Sequence, residues 1–255
     1  MKINCLYDKR AILLDQGQSR VLVVSDLHIG FEEKFRISGV RIQSEAQAML
    51  SDLETIIASS RATDLIVNGD VKSGTGRILE SEWEIVPKFL TRLTSICRVS
   101  IVPGNHDGGL TNLLPDNAQL EDVNGKLVSD TLVLHGHTKP LIKFKDCKRL
   151  IIGHIHPVFH KSGNPLSGQP VWAFLKIPKK TVFGEMLEDA QSTLEVIVMP
   201  SFNLELASSG IALTYQREER RAAPLALELK DAEEAMIVTL NGEIIGDSSQ
   251  LSSVF

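Results

Sequence analysis

Three short apolar runs constrain this chain more than any other feature: Val21-Leu22-Val23-Val24, Leu65-Ile66-Val67 and Val99 to Val102. Each is too short for a buried helix, is rich in β-branched residues and stops at a polar cluster, which reads as a strand. Between them, Gln43 to Ile57 carries Ala46, Met49, Leu50, Leu53 and Ile57 at helical spacing. Leu79 to Leu93 does the same with Trp83, Val86, Leu90 and Leu93 on one face, and Pro87 weakens or kinks it. The order is β-α-β-α-β with near-continuous apolar strands, the pattern of a parallel sheet covered on both faces. Such sheets bind ligands beyond the carboxyl ends of their strands. All three runs end there in Asp, His or Asn.

The second half is richer in strands. Thr131 to Leu134 runs into His135-Gly136-His137, and Leu150-Ile151-Ile152 runs into Gly153-His154-Ile155-His156-Pro157. Val171 to Ile177, Leu194 to Met199 and Ala235 to Leu240 are further strands, with a hairpin turn at Asn241-Gly242. Trp172 and Phe174 alternate on such a strand and read as core rather than as a stacking platform. Loops fall at Gly108 to Pro115 and Gly163 to Pro170, and the tail from Ser248 to Phe255 reads as frayed. No repeat or composition shift divides the chain. A single domain over residues 1–255 is expected, with the polar motifs at 26–156 and a β-rich part at 157–255.

Composition removes several classes of function. With 27 Lys+Arg against 32 Asp+Glu the net charge is −5, which argues against a strongly basic coat for nucleic acid. Three scattered cysteines (Cys5, Cys97, Cys147) give neither a disulfide framework nor a thiolate zinc site. The N-terminal Met1-Lys2-Ile3-Asn4 lacks an apolar leader core, and no stretch approaches the ~18 apolar residues of a membrane span. A cytoplasmic, membrane-free protein is expected.

The chemistry sits where the seven histidines do. Asp26-Leu27-His28, Gly69-Asp70, Gly104-Asn105-His106-Asp107, His135-Gly136-His137 and Gly153-His154-Ile155-His156 all stand at strand ends. Any one alone is an ordinary turn; together they hold six of the seven histidines. On extended backbone, residues i and i+2 point to the same side, so Asp26/His28 and His154/His156 are each expected to converge on one centre. Glycines before Asp70, Asn105 and His154 suit close backbone approach. A donor set of Asp, His and Asn without Cys suits Mn, Fe, Zn, Ni or Mg. Seven or so ligands exceed one tetrahedral ion and suit two, roughly 3.5–4 Å apart, sharing a carboxylate.

This order of motifs resembles that of the calcineurin-like metallophosphoesterases. Asp26-Leu27-His28-Ile29-Gly30-Phe31-Glu32, Gly69-Asp70-Val71-Lys72 and Met199-Pro200-Ser201-Phe202-Asn203 resemble in particular the archaeal SbcD-related, ICC-like branch. The resemblance implies an α/β fold, a four-layer α/β/β/α sandwich, and two divalent ions, Mn²⁺ foremost with Fe, Zn, Ni or Mg as alternatives. It implies one ion on Asp26, His28, Asp70 and His156, and the other on Asp70, Asn105, His135 and His154. His137 rivals His135 for its place; His135 is preferred because it comes directly off the strand. The resemblance also implies that His106 protonates the leaving oxygen or stabilises the transition state. Relatives often carry an acid three residues after the bridging aspartate, where this chain has Ser73.

Two dications lower the pKa of the water they share, so a bridging hydroxide can attack phosphorus while the ions neutralise phosphate oxygens. A histidine then supplies the leaving group's proton. The expected function is a phosphodiesterase acting on nucleotides or nucleic-acid ends, alone or with a helicase or repair protein. A phosphomonoesterase or protein phosphatase on the same site is the alternative. A non-catalytic metal-binding scaffold is another, against which His106 argues. Glu32, Lys72, Asp107 and His137 are further candidates for touching the substrate or supporting a ligand, although an exposed charge is as good a reading for Glu32 and Lys72. Asp107 could equally cap its turn.

Overall fold

Alternation along the strands builds the molecule in layers. The computed structural model describes residues 1–33, 45–184, 192–208, 225 and 228–255. Its first sheet runs β1 (Lys2–Leu6), β2 (Ala11–Asp15), β3 (Arg20–Val24), β4 (Asp64–Asn68), β5 (Arg98–Val102) and β6 (Ala118–Leu120), in that spatial order. The pairs from β3 to β6 are parallel, as expected. Helix α1 (Ala46–Ser60) follows β3 and α2 (Glu80–Thr94) follows β4. Leu22, Val24, Leu65 and Val67 face these helices and pack with Leu53, Ile57, Val86 and Phe89. Their neighbours Val21, Val23 and Ile66 face the opposite way, into the core between two sheets. Both faces are therefore dry, which is why these strands read as unbroken apolar runs.

The second sheet is ordered β14 (Ile244–Asp247), β13 (Glu234–Thr239), β11 (Gln169–Pro178), β12 (Thr193–Val198), β9 (Arg149–Ile152), β8 (Thr131–Val133) and β7 (Lys126–Val128), with β10 (Val158–Phe159) paired to β11. Val133, Ile151, Trp172, Ile197 and Val238 meet the first sheet. Leu150, Ile152, Leu175 and Val196 face outward onto Val182 of α3 (Lys179–Phe183), Leu225, Leu229 and Leu251. Helix, sheet, sheet, helix is the four-layer α/β/β/α sandwich. Strands β12, β9 and β8 are mutually parallel, so they and β3, β4 and β5 present two sets of carboxyl ends. Those ends are joined directly: Asn68 Nδ2 donates to Leu134 O at 3.1 Å.

Three features differ from expectation: the first hairpin, Trp83 and the tail. The β1–β2 hairpin has no clear alternation in the sequence, yet Ala11, Ile12, Leu13 and Leu14 are all buried. Trp83 is 52% exposed; the buried stripe of α2 is Glu82, Val86, Phe89, Leu90 and Leu93, and Trp83 stands one position, about 100° of helix rotation, off it. The helix carries Pro87 inside and continues to Thr94. The first helix starts at Ala46, and 43–44 lie outside the described residues. The tail is not frayed: Ser248–Ser253 forms a 3₁₀ turn capped by Asp247 and Gln250, which places Leu251 and Val254 in the core.

Candidate metal centre

The backbone at the strand ends is left-handed where an extended one was expected. Asp26 (φ 60°), His28 (φ 43°), Asp70 (φ 51°), His154 (φ 64°) and His156 (φ 44°) all have positive φ. L-residues pay roughly 1–3 kcal/mol each for this, and such outliers collect at functional sites. The gain is geometric. Leu27, between Asp26 and His28, enters the helix-side core of the first sheet, and Ile155, between His154 and His156, enters the outer core of the second. Each apolar residue is a plug; Asp26 and His28 on either side of the first fall in one ligand group, whereas His154 and His156, expected on one centre, fall in two.

Both groups converge on Asp70. Ligand atoms of Asp26, His28, Asp70 and His156 lie within 4.8 Å of one another, and so do those of Asp70, His135 and His154. His28 Nε2 is 3.4 Å and His135 Nε2 is 3.2 Å from Asp70 Oδ2, and His156 Nε2 is 3.0 Å from Asp26 Oδ1. All these side chains are buried. Asp70 Oδ2 and His135 Nε2 make no hydrogen bond although both are shut away from solvent. Donor atoms crowded side by side but misaligned for hydrogen bonding fit ion coordination, because uncompensated burial is costly. His135 Nδ1 lies 2.8 Å from Asn68 O and must carry the proton there, which leaves the Nε2 lone pair for an ion. Asp26 accepts His154 N–H on both oxygens at 3.1 Å. Asp70 Oδ1 accepts His106 N–H at 2.9 Å.

Charge in this pocket is lopsided. Burial pushes Asp26 upward, but His156 and His135 overcome it and hold the carboxyl down at about 2. Asp70 is likewise held well below the usual range, its burial outweighed by His135 and His28. Burial pushes His135 down, and Asp70 with Asp26 overrides it, raising the imidazole to about 10. The two carboxylates thus demand positive charge. A dication taking Nε2 of His135 must displace a proton, so binding and pH are coupled. Burial, and then the charge on His135, lowers His137 to about 4.

Close approach governs two glycines. A Cβ on Gly104 would stand 2.1 Å from Asp70 Oδ1, and one on Gly153 would stand 1.7 Å from Ser25 Oγ. No side chain fits at either position. The backbone after β5 and after β9 is pressed directly against the ligand residues.

His106 stands beside the first group, its ring 4.8 Å from that of His28. A main-chain carbonyl orients its ring: His106 Nδ1 lies 2.7 Å from Ser73 O. Nδ1 is therefore the donor there, and Nε2 is the nitrogen that can exchange a proton. Lys72, read equally as an exposed charge, is fully buried; its ammonium donates to Gly74 O and to His106 O. Asp107 caps: Oδ1 accepts Val71 N–H at 2.9 Å and Oδ2 accepts Gly104 N–H at 2.8 Å, which staples the loop after β4 to the loop after β5. Its own burial, then Asp70, raises its carboxyl to about 6.

Sequence reasoning missed Asn68 and Glu82. Glu82, buried inside α2, accepts from Ser73 N at 2.8 Å, Gly74 N at 2.6 Å and Leu79 N at 2.7 Å. An acid at the third position of a helix was the signal available for it. Asn105 is exposed, on the turn whose Gly104 and His106 abut Asp70. His137 is half-buried, with ring centroids 5.4 Å from His135 and 6.1 Å from His154, and it belongs to neither ligand group. Glu32 is half-buried. His160 lies beyond the site and its N–H donates to Ser253 O.

Residues 19–181, more than half of the chain, match the family model of the calcineurin-like phosphoesterases. The chain belongs to that family. It is thus a hydrolase of phosphoester bonds, and family and Asp/His clusters together point to a divalent metal site. Among solved structures, nuclease MPE of Pseudomonas putida is 20% identical with a TM-score of 0.52, over 79% of this chain and 82% of that one. YfcE, a phosphoesterase from E. coli, is 17% identical with a TM-score of 0.40, over 89% and 97%. The first likeness is one of fold. No curated protein matches in sequence. No helix among the described residues is long and apolar enough to cross a membrane.

Proposed function

We propose that this phosphoesterase uses two divalent ions to cleave phosphodiesters of nucleotides or nucleic-acid ends. The observation that carries the reading is the pair of ligand groups meeting at Asp70, with the His106 ring beside one of them. Asp26, His28, Asp70 and His156 would hold one ion, and Asp70, His135 and His154, with Asn105 from the solvent side, the other. Bound there, the ions would activate water at neutral pH and offset the charge gathering on phosphate oxygens. The residues do the rest. Asn68 O keeps a proton of His135 on Nδ1, Ser73 O does so for His106, and Nε2 of His106, when protonated, serves the departing oxygen. Nuclease MPE, named for action on nucleic acid, shares the fold. The net charge of −5 favours small or short substrates over long duplex.

The test is hydrolysis of bis-p-nitrophenyl phosphate beside p-nitrophenyl phosphate, after EDTA stripping and Mn²⁺ readdition. Mn²⁺-dependent cleavage of the diester with little monoester activity is expected. Monoester preference would replace the reading with a phosphatase, and inactivity with two ions bound would replace it with a scaffold. His106→Ala should lower turnover about 10²–10⁴-fold with metal content intact. Wild-type turnover in that variant would remove the role given to His106.

A further inference from the structure

The segment after β12, Met199-Pro200-Ser201-Phe202-Asn203, lies beyond the residues matched by the family model and carries no ligand. Its polar side chains are nevertheless buried, Asn203 at 3% and Ser201 at 5% exposure. All of their hydrogen bonding into the site goes to the carbonyls of one turn. Ser201 Oγ donates to Asp26 O at 2.8 Å, Asn203 N–H reaches the same oxygen at 3.3 Å, and Asn203 Nδ2 donates to Leu27 O at 3.0 Å. Phe202 N–H donates to Ser25 O at 2.8 Å.

The orientation of Asn203 is settled by chemistry. Its Oδ1 accepts Glu205 N–H at 3.0 Å; turning the amide over would set oxygen against Leu27 O and NH₂ against an N–H. Behind the segment, Arg10 Nε donates to Phe202 O at 3.1 Å with its guanidinium 5.1 Å above the Phe202 ring. The N–H side of the same turn is held from the loop after β4, through Asp26 N to Gly69 O at 3.1 Å and His28 N to Asp70 O at 2.8 Å. The Ser201–Asn203 segment holds the carbonyl side. Between these two sets of bonds the left-handed Asp26 and His28 are over-determined.

We infer that Ser201 and Asn203 are positioning residues that set the affinity of the ion held by Asp26, His28, Asp70 and His156, by clamping a strained turn rather than by touching the ion. This rests on the two-ion reading above. Groups that orient metal ligands from outside the coordination shell typically govern affinity by about 10–100-fold.

The experiment is an Mn²⁺ titration of the EDTA-stripped full chain, followed by calorimetry and by electron paramagnetic resonance, on the wild type, Ser201→Ala, Asn203→Ala and Ser201→Thr. Val254→Ala, a buried position in a separate apolar cluster, is the control for loss of stability alone. Asn203→Ala should weaken one of two binding events at least about tenfold and the other less than about threefold. Ser201→Ala should weaken the same event by less, Ser201→Thr should restore it by keeping the hydroxyl, and Val254→Ala should move neither. Two unchanged affinities in folded Ser201→Ala and Asn203→Ala overturn the inference, as does an equal loss in Val254→Ala. If Asn203→Ala does not fold, the Ser201 pair decides. A wild type that binds no divalent ion overturns the two-ion reading itself, a separate result from two ions bound with no effect of the clamp.

Discussion

Asp26-Leu27-His28 and His154-Ile155-His156 share left-handed flanking residues, with φ of 60° and 43° in one and 64° and 44° in the other, and each buries its central apolar residue in the outer core of its own sheet. They differ in what holds them. The first turn is gripped on its carbonyl side by neutral donors, Ser201 and Asn203, and on its N–H side by main-chain oxygens. In the second, His154 N–H is taken by the carboxylate of Asp26, Gly153 N–H by His135 O, and Ile155 N–H by Gly153 O. A clamp from outside thus serves the first turn, and a side chain of that first turn serves the second. Asp26 is part of one ion group and the scaffold of the other.

That asymmetry can be broken most sharply at Asp26. Asp26→Ala removes a ligand and the acceptor of His154 N–H together, so both Mn²⁺ affinities should fall, the first by more than the roughly 100-fold that an outer partner commands. His28→Ala should weaken only one of them. A two-site titration of both variants checks this, and an Asp26→Ala that spared one ion would end the claim that Asp26 serves both groups. The plugs test the likeness instead. Leu27→Ala and Ile155→Ala should each cost about 2–5 kcal/mol, seen as comparable falls in the thermal midpoint; a change tolerated at one and not the other would show that the two turns are seated differently. Gly153→Ala should cost about 1–3 kcal/mol and disturb the first turn although it lies beside the second, because its Cβ would meet Ser25 Oγ and Asp26 Oδ2. Chemical shifts of Leu27 and His28 would report it. Trp83→Ala, at an exposed side chain outside both turns, should stay within about 0.5 kcal/mol.

Much of the fold was legible beforehand. Val21 to Val24, Leu65 to Val67 and Val99 to Val102 are strands within a residue or two because apolar runs of that length between helical periods have few alternatives. Lys72 and Glu82 were not legible. A charged residue reads as exposed unless its partners are known, and theirs are main-chain groups of the loops around Ser73 and His106. Trp83 misled for the opposite reason, since the stripe position beside it is filled by a carboxylate with work elsewhere.

By itself, the sequence determined the βα alternation, the strand ends at which polar residues accumulate, and an oxygen–nitrogen donor set free of cysteine. These follow from local hydrophobic pattern and from side-chain chemistry, which need no partner. Tertiary structure alone decided that the ligand turns are left-handed, that a backbone carbonyl orients His106, and that Ser201, 175 positions from Asp26, supports it. The physical reason is steric. Local forces oppose positive φ in Asp and His, so that conformation persists only where distant hydrogen bonds and buried plugs outweigh the strain.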